Sequence, residues 1–100
     1  MSAYEMAVHV IVEGKVQRVG YRAWTEGQAQ ARGLSGWARN RAEGTVEAVF
    51  AGPASVVEAM LSACRAGPQK AQVNRLDVRP AEAADLAGVV TGHFQVRDTF

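Results

Sequence analysis

The stretch Gly14-Lys15-Val16-Gln17-Arg18-Val19-Gly20-Tyr21-Arg22 carries the residue types from which a small anion site can be assembled. Glycines bound the loop and a helical pattern follows it. Several backbone N–H groups without helical partners therefore converge where the helix dipole is positive. Arg22, at the helix start, adds a permanently charged planar fork that matches two phosphate oxygens at once. Gly14-Lys15 is followed by Val16 rather than Ser or Thr, and the full Walker A glycine spacing is absent, so nothing supports a nucleoside triphosphate. Asn40 closes a strand pattern and offers an amide that both donates and accepts. Neither feature decides alone. A strand-to-helix loop is more often structural, and Asn is a common strand-end residue because it tolerates turn conformations.

Charge placement shifts the balance. Between Lys15 and Arg41 stand six basic residues (Lys15, Arg18, Arg22, Arg32, Arg39, Arg41) and one acid, Glu26, a net +5; the remainder holds five basic residues and nine acids, a net −4. Positive potential is thus concentrated on the segment that holds the loop, as an anion site requires.

Other chemistries find less support. His9 and His93 are isolated in strand patterns without metal-ligand spacing and read as solvent-facing. Cys64 sits on an apolar helical stripe and reads as a core residue, since a reactive thiol wants an exposed electropositive setting. Ser35, Ser55 and Ser62 have no accompanying His and Asp arrangement, and Gly-x-Ser-x-Gly is absent. Trp24 and Trp37 read as packing groups rather than a stacking platform. No metal site or cofactor is expected.

The elements that must position the loop and Asn40 follow from periodicity. Ala7 to Glu13 alternates as a strand with Val8, Val10 and Val12 on one face, ending at Gly14. Tyr21 to about Arg32 favours helix, stopped by Gly33, with a thin apolar stripe through Tyr21, Trp24 and Ala31 and with Gly27 in mid-segment. Ser35 to Asn40 and Thr45 to Ala51 read as hairpin strands around the turn Arg41-Ala42-Glu43-Gly44. Gly52-Pro53 opens a second helix carrying Val56, Val57, Met60, Leu61 and Cys64, which Gly67-Pro68 closes. Ala71 to Arg79 is a fourth strand, with Val73 out of phase with Leu76 and Val78, as a bulge or a late start would make it. Ala81 to Gly88 has no assigned state, and Phe94 and Val96 mark a last short strand. The order is two split βαβ halves plus one strand: an α+β, ferredoxin-like sandwich, an antiparallel sheet with two helices on one face. In that plan the first two strands are parallel with a third between them, so the Gly14 loop, the helix start at Arg22 and Asn40 meet at one end of the sheet.

With 100 residues, 48% hydrophobic and 21% charged, the chain reads as one globular domain over residues 1–100. A net charge of +1 argues against a nucleic-acid backbone or a membrane surface as partner. One Cys permits no internal disulfide, so a reducing cytoplasm is the expected location. The opening Met1-Ser2-Ala3-Tyr4-Glu5-Met6 lacks a basic leader, and no apolar run approaches the ~20 residues of a membrane span. A domain of this kind is expected to be a monomer.

The residues from Gly14 to Arg22, then Gly36-Trp37-Ala38-Arg39-Asn40, then Glu43-Gly44-Thr45-Val46-Glu47 resemble the acylphosphatase family, whose pattern is Gly-x-Val-Gln-Gly-Val-x-Phe/Tyr-Arg, Gly-Trp-x-Arg-Asn, and acidic-Gly-x-Val-Glu. The resemblance spans most of the chain and implies the same ferredoxin-like fold. It also implies metal-independent hydrolysis of acyl phosphates to carboxylate and inorganic phosphate. The amides of Val16, Gln17, Arg18, Val19, Gly20 and Tyr21, together with Arg22, would then bind the phosphoryl group, and Asn40 would position the attacking water. One departure is Arg18, where the family has Gly. It would be strained if the loop needs positive φ there, and otherwise adds a cation at the pocket rim. Two other readings are a non-catalytic anion-binding module and an RNA-binding domain of similar topology. The latter lacks the aromatic strand motif that stacks bases.

Overall fold

The computed structural model describes residues 4–100. The reading of the opening segment as leaderless therefore falls partly on Met1 to Ala3, outside the described residues. The chain runs β1 (Met6–Lys15), α1 (Tyr21–Ala31), β2 (Ser35–Asn40), β3 (Val46–Gly52), α2 (Ala54–Ala66), β4 (Gln72–Pro80), a one-turn α3 (Ala83–Leu86) and β5 (Phe94–Val96). The sheet order is β4-β1-β3-β2-β5. β3 thus lies between the parallel β1 and β2, and β1 lies between β3 and β4, as two interleaved βαβ halves require. Both helices pack on one face. This is the ferredoxin-like α+β fold. The sheet is not wholly antiparallel, because β5 joins β2 in parallel, Gly36 opposite Phe94 and Ala38 opposite Val96.

Burial explains the layers. Val8, Val10 and Val12 of β1 are at most 4% exposed and meet Ala38, Val46, Ala48 and Phe50 of the neighbouring strands beneath Tyr21, Ala29, Val57, Met60 and Cys64 of the helices. Each fully buried Val contributes roughly 1.5–3 kcal/mol by leaving water. In α1 the buried row is Tyr21, Thr25 and Ala29, not the expected Tyr21, Trp24 and Ala31: Trp24 is half-buried and Ala31 exposed. Thr25 enters the core because its hydroxyl donates to the Tyr21 carbonyl at 2.8 Å.

β1 runs longer than its alternating pattern, to Lys15, because its far end pairs with β4 through an irregularity. Glu13 stands opposite Arg75 but Gly14 opposite Val73, leaving Asn74 extra. This bulge accounts for Val73 being out of phase. Gly14 must be glycine there: its φ is 132°, and a Cβ would sit 2.1 Å from the Gln72 carbonyl oxygen. The stretch from Ala81 onward crosses the face opposite α1 and α2, where the Trp37 indole N–H donates to the Asp85 carbonyl at 2.8 Å. His93 lies just ahead of β5, exposed. Among the described residues, no helix is long and apolar enough to cross a membrane.

Candidate active site

At the end of the sheet where β1 and β2 finish, a cavity of about 300 Å³ is lined by Val16, Arg18, Gly20, Tyr21, Arg22, Ala23 and Asn40. The first split βαβ half brings together residues up to 24 positions apart, as the topology dictates. The lining holds two guanidinium groups and no acid.

The loop is pinned by its own side chains. Val16 is 1% exposed in the core, Val19 packs against the core edge, and buried Tyr21 donates its hydroxyl to the Cys64 carbonyl at 2.8 Å. Gln17 Nε2 donates to the carbonyls of Arg41 and Thr45, both at 2.8 Å, tying the loop to the β2–β3 hairpin. Neither Gln17 nor Val19 lines the cavity. With these side chains committed to the protein, the loop presents backbone amides and the Arg18 side chain.

The helix start leaves those amides open. Gly20 is the N-cap, in the left-handed region at φ 77°, with no side-chain cap and no acid in the first turn. The first helical hydrogen bond is Trp24 N–H to the Gly20 carbonyl at 2.9 Å, so the N–H groups of Tyr21, Arg22 and Ala23 stay unpaired at the positive end of the dipole. Ala23 is a lining residue that reasoning from the loop alone omits, although the position of the helix start implies its amide. Arg22 is half-buried, and its guanidinium makes one long 3.4 Å contact, to the Arg97 carbonyl. That contact comes from 75 residues away, and no local pattern announces it.

Asn40 ends β2 opposite Val46, and the backbone of the C-terminal segment holds it: Phe100 N–H donates to the Asn40 carbonyl at 3.0 Å. Its Oδ1 is buried and has no hydrogen-bond partner. Arg18 has φ 63° and is the one non-glycine residue with positive φ among the described residues. The loop does demand the left-handed conformation where this chain has Arg.

Arg39 and Arg41 of the basic segment face elsewhere. Glu47, 5% exposed on the sheet face away from α1 and α2, accepts from Arg39 Nε at 2.6 Å and from His9 Nε2 at 2.6 Å, with Arg41 at 3.4 Å. His9 is therefore buried, not solvent-facing. It sits on a central strand where both faces are covered, and the Glu47 carboxylate satisfies its ring. Desolvation pushes the Glu47 carboxyl up, but the hydrogen bonds from His9 and Arg39 outweigh it and hold the group below its ordinary value. Arg39 is sandwiched between Trp37 and Phe100, at 4.8 and 4.1 Å from the ring centroids. Burial pushes the Cys64 thiol up to about 11, which keeps it an inert core group. Among the described residues, no group of three or more His, Cys, Asp or Glu stands where it could hold a metal ion.

The chain is 57% identical over 76 residues to an acylphosphatase of Azorhizobium caulinodans, covering 76% of this chain and 82% of that one. It is 57% identical over 79 residues to an acylphosphatase of Rhodospirillum rubrum, covering 79% and 87%. The crystal structure of acylphosphatase from Bacillus subtilis superposes with a TM-score of 0.78 at 29% identity, covering 91% of this chain and 97% of that one. The acylphosphatase family model matches residues 8–94, from β1 through the loop, Asn40 and β4 to the first residue of β5, and the chain belongs to the acylphosphatase family of enzymes.

Proposed function

We propose that this chain hydrolyses the carboxyl–phosphate bond of acyl phosphates, with Arg22 and the loop and helix-start amides that face the cavity holding the phosphoryl group and Asn40 positioning the water. The observation that carries the reading is the cavity itself, where an uncapped helix start, a half-buried guanidinium and an unpartnered amide share one wall.

An acyl phosphate is a mixed anhydride whose leaving group is already a weakly basic carboxylate, so no strong acid need protonate it. In the step, a water oxygen bonds to phosphorus as the bond from phosphorus to the acyl oxygen breaks. The carboxylate departs with that electron pair, and one water proton passes to a phosphate oxygen. Phosphoryl transfer through a loose transition state needs chiefly in-line positioning and stabilisation of charge on the equatorial oxygens. The open amides and Arg22 supply donors and positive charge, so the reaction proceeds without a metal.

Asn40 supplies the alignment. Asn40 lines the cavity, and its side-chain amide can hold a water beside the phosphoryl group with a lone pair left for phosphorus. All these residues belong to one chain, which supports a monomer, and the buried free Cys64 suits a reducing cytoplasm.

The test is hydrolysis of benzoyl phosphate by the purified protein, with and without chelator. Arg22→Ala loses both inorganic phosphate affinity and turnover, whereas Asn40→Ala keeps phosphate affinity and loses turnover. Near-normal turnover in either variant, or turnover that chelator abolishes, overturns the assignment.

A further inference from the structure

We infer that Arg18 makes this cavity selective for acyl phosphates whose acyl group carries a second anionic group. The inference rests on the acyl phosphate reading above and assigns the part of the substrate that the phosphoryl-binding groups leave unaddressed. Val16 and Tyr21 are buried and form the floor, while Arg18 is exposed and stands at the mouth. A phosphoryl group seated against the helix start and Arg22 therefore directs its acyl substituent outward past Arg18. There is room for it. At roughly 30 Å³ per water-sized group, a cavity of about 300 Å³ holds about twice the heavy atoms of a phosphoryl group with its bridging oxygen.

The Arg18 guanidinium makes no hydrogen bond or ion pair within the described residues. Arg39, Arg41, Arg75 and Arg79, by contrast, each engage a carboxylate. Its fork is free to take a carboxylate or phosphate oxygen pair, and no acidic side chain on the wall opposes an anionic acyl group. The backbone adds an independent indication. At φ 63° the residue occupies a conformation that glycine adopts freely and that disfavours any residue with a Cβ. Residues held in such conformations cluster at active sites and ligand clamps.

The experiment compares benzoyl phosphate with 4-carboxybenzoyl phosphate, using the unaltered protein, Arg18→Asn and Arg18→Lys. Asn removes the charge while tolerating the left-handed backbone, so the loop keeps its shape. The ratio of kcat/KM, carboxylated over plain substrate, falls about fivefold in Arg18→Asn, as loss of one partly solvated ion pair implies. Arg18→Lys retains most of the ratio. An unmoved ratio overturns the inference, and that includes the case where both substrates slow equally, which would place Arg18 on the phosphoryl group instead. The inert pair benzylphosphonate and 4-carboxybenzylphosphonate separates the two failures. If neither acyl phosphate is turned over yet the ratio of Kd values still depends on Arg18, hydrolysis falls and selectivity stands. If turnover is intact and neither ratio moves, selectivity falls alone.

Discussion

Replacing Arg18 by glycine makes the protein more stable. The residue sits at φ 63°, and a left-handed backbone costs a residue with a Cβ roughly 1–2 kcal/mol. Glycine removes that penalty but brings about 0.5–1 kcal/mol of additional unfolded-state freedom, so the net gain is about 0.5–1 kcal/mol. The guanidinium has no partner inside the protein, so its loss contributes little, and Arg18→Ala serves as the control. Alanine keeps the Cβ and its penalty and lies within about 0.5 kcal/mol of the unaltered protein. Urea titration reads the difference: with an m-value near 1 kcal/mol/M, Arg18→Gly unfolds about 0.5–1 M later than Arg18→Ala, and thermal melting shifts up by about 3–6 °C. If the glycine variant is no more stable than the alanine variant, the loop is not strained at this position. The backbone argument for a functional Arg18 then falls with it. If the gain appears together with lost preference for the carboxylated substrate, one position exchanges stability for selectivity.

Other positions give sharper structural tests. Glu47→Gln loses about 2 kcal/mol at neutral pH, because hydrogen bonds between charged groups typically contribute 1.5–3 kcal/mol. Its folded-state carboxyl is held below the ordinary 4.5, so its contribution is complete above that pH and fades as pH falls through the folded value; urea titrations at successively lower pH show the gap between variant and parent closing. Gly27→Ala gains about 1 kcal/mol in the same titration, because Gly27 lies inside α1 and a Cβ there meets nothing within 4 Å. Gln17→Ala removes both tethers to the hairpin and costs about 1–2 kcal/mol. It also weakens inorganic phosphate binding measured by calorimetry, since the loop is no longer fixed relative to Asn40.

The route of the backbone was largely legible in the sequence because it is written locally. Val8, Val10 and Val12 alternate, Val57, Met60 and Cys64 recur at helical spacing, and glycine and proline punctuate the ends. These signals give the element order, and the parallel run of β1 and β2 in the split βαβ plan then brings the Gly14 loop and Asn40 to one end of the sheet. What local pattern could not show is pairing across the sheet. His9 has the alternation of an outward strand residue, yet Glu47, 38 residues on, makes it a buried partner. Thr25 reads as polar, but its bond to the Tyr21 carbonyl lets it replace Trp24 in the buried row of α1. The parallel docking of β5 depends on where residues 81–93 cross, which no periodicity encodes. For Arg18 the sequence posed the right alternative, and only the backbone angle decides it.

The same distinction governs the electrostatics. Counted along the chain, Lys15 to Arg41 carries +5. In space, Glu47 takes Arg39 and His9, Arg41 is divided between Glu43 and Glu47, and Arg32 turns back onto Gln28 along its own helix. The cavity wall keeps only Arg22 and Arg18, added to the positive end of α1. That is a small local charge, and its smallness is useful. A phosphoryl dianion is matched by Arg22 and the open amides, while a field of +5 would also hold the phosphate product and slow its release. Placing Glu47 on the opposite face of the sheet keeps Arg39 and Arg41 ordered and paired without bringing a carboxylate near the substrate. It follows that Glu47→Gln, despite its effect on stability, leaves the two cavity cations untouched. Below saturation by salt, it shifts phosphate affinity far less than Arg22→Ala does. A comparable loss of phosphate binding in the two variants would mean that the buried cluster and the cavity act as one electrostatic unit.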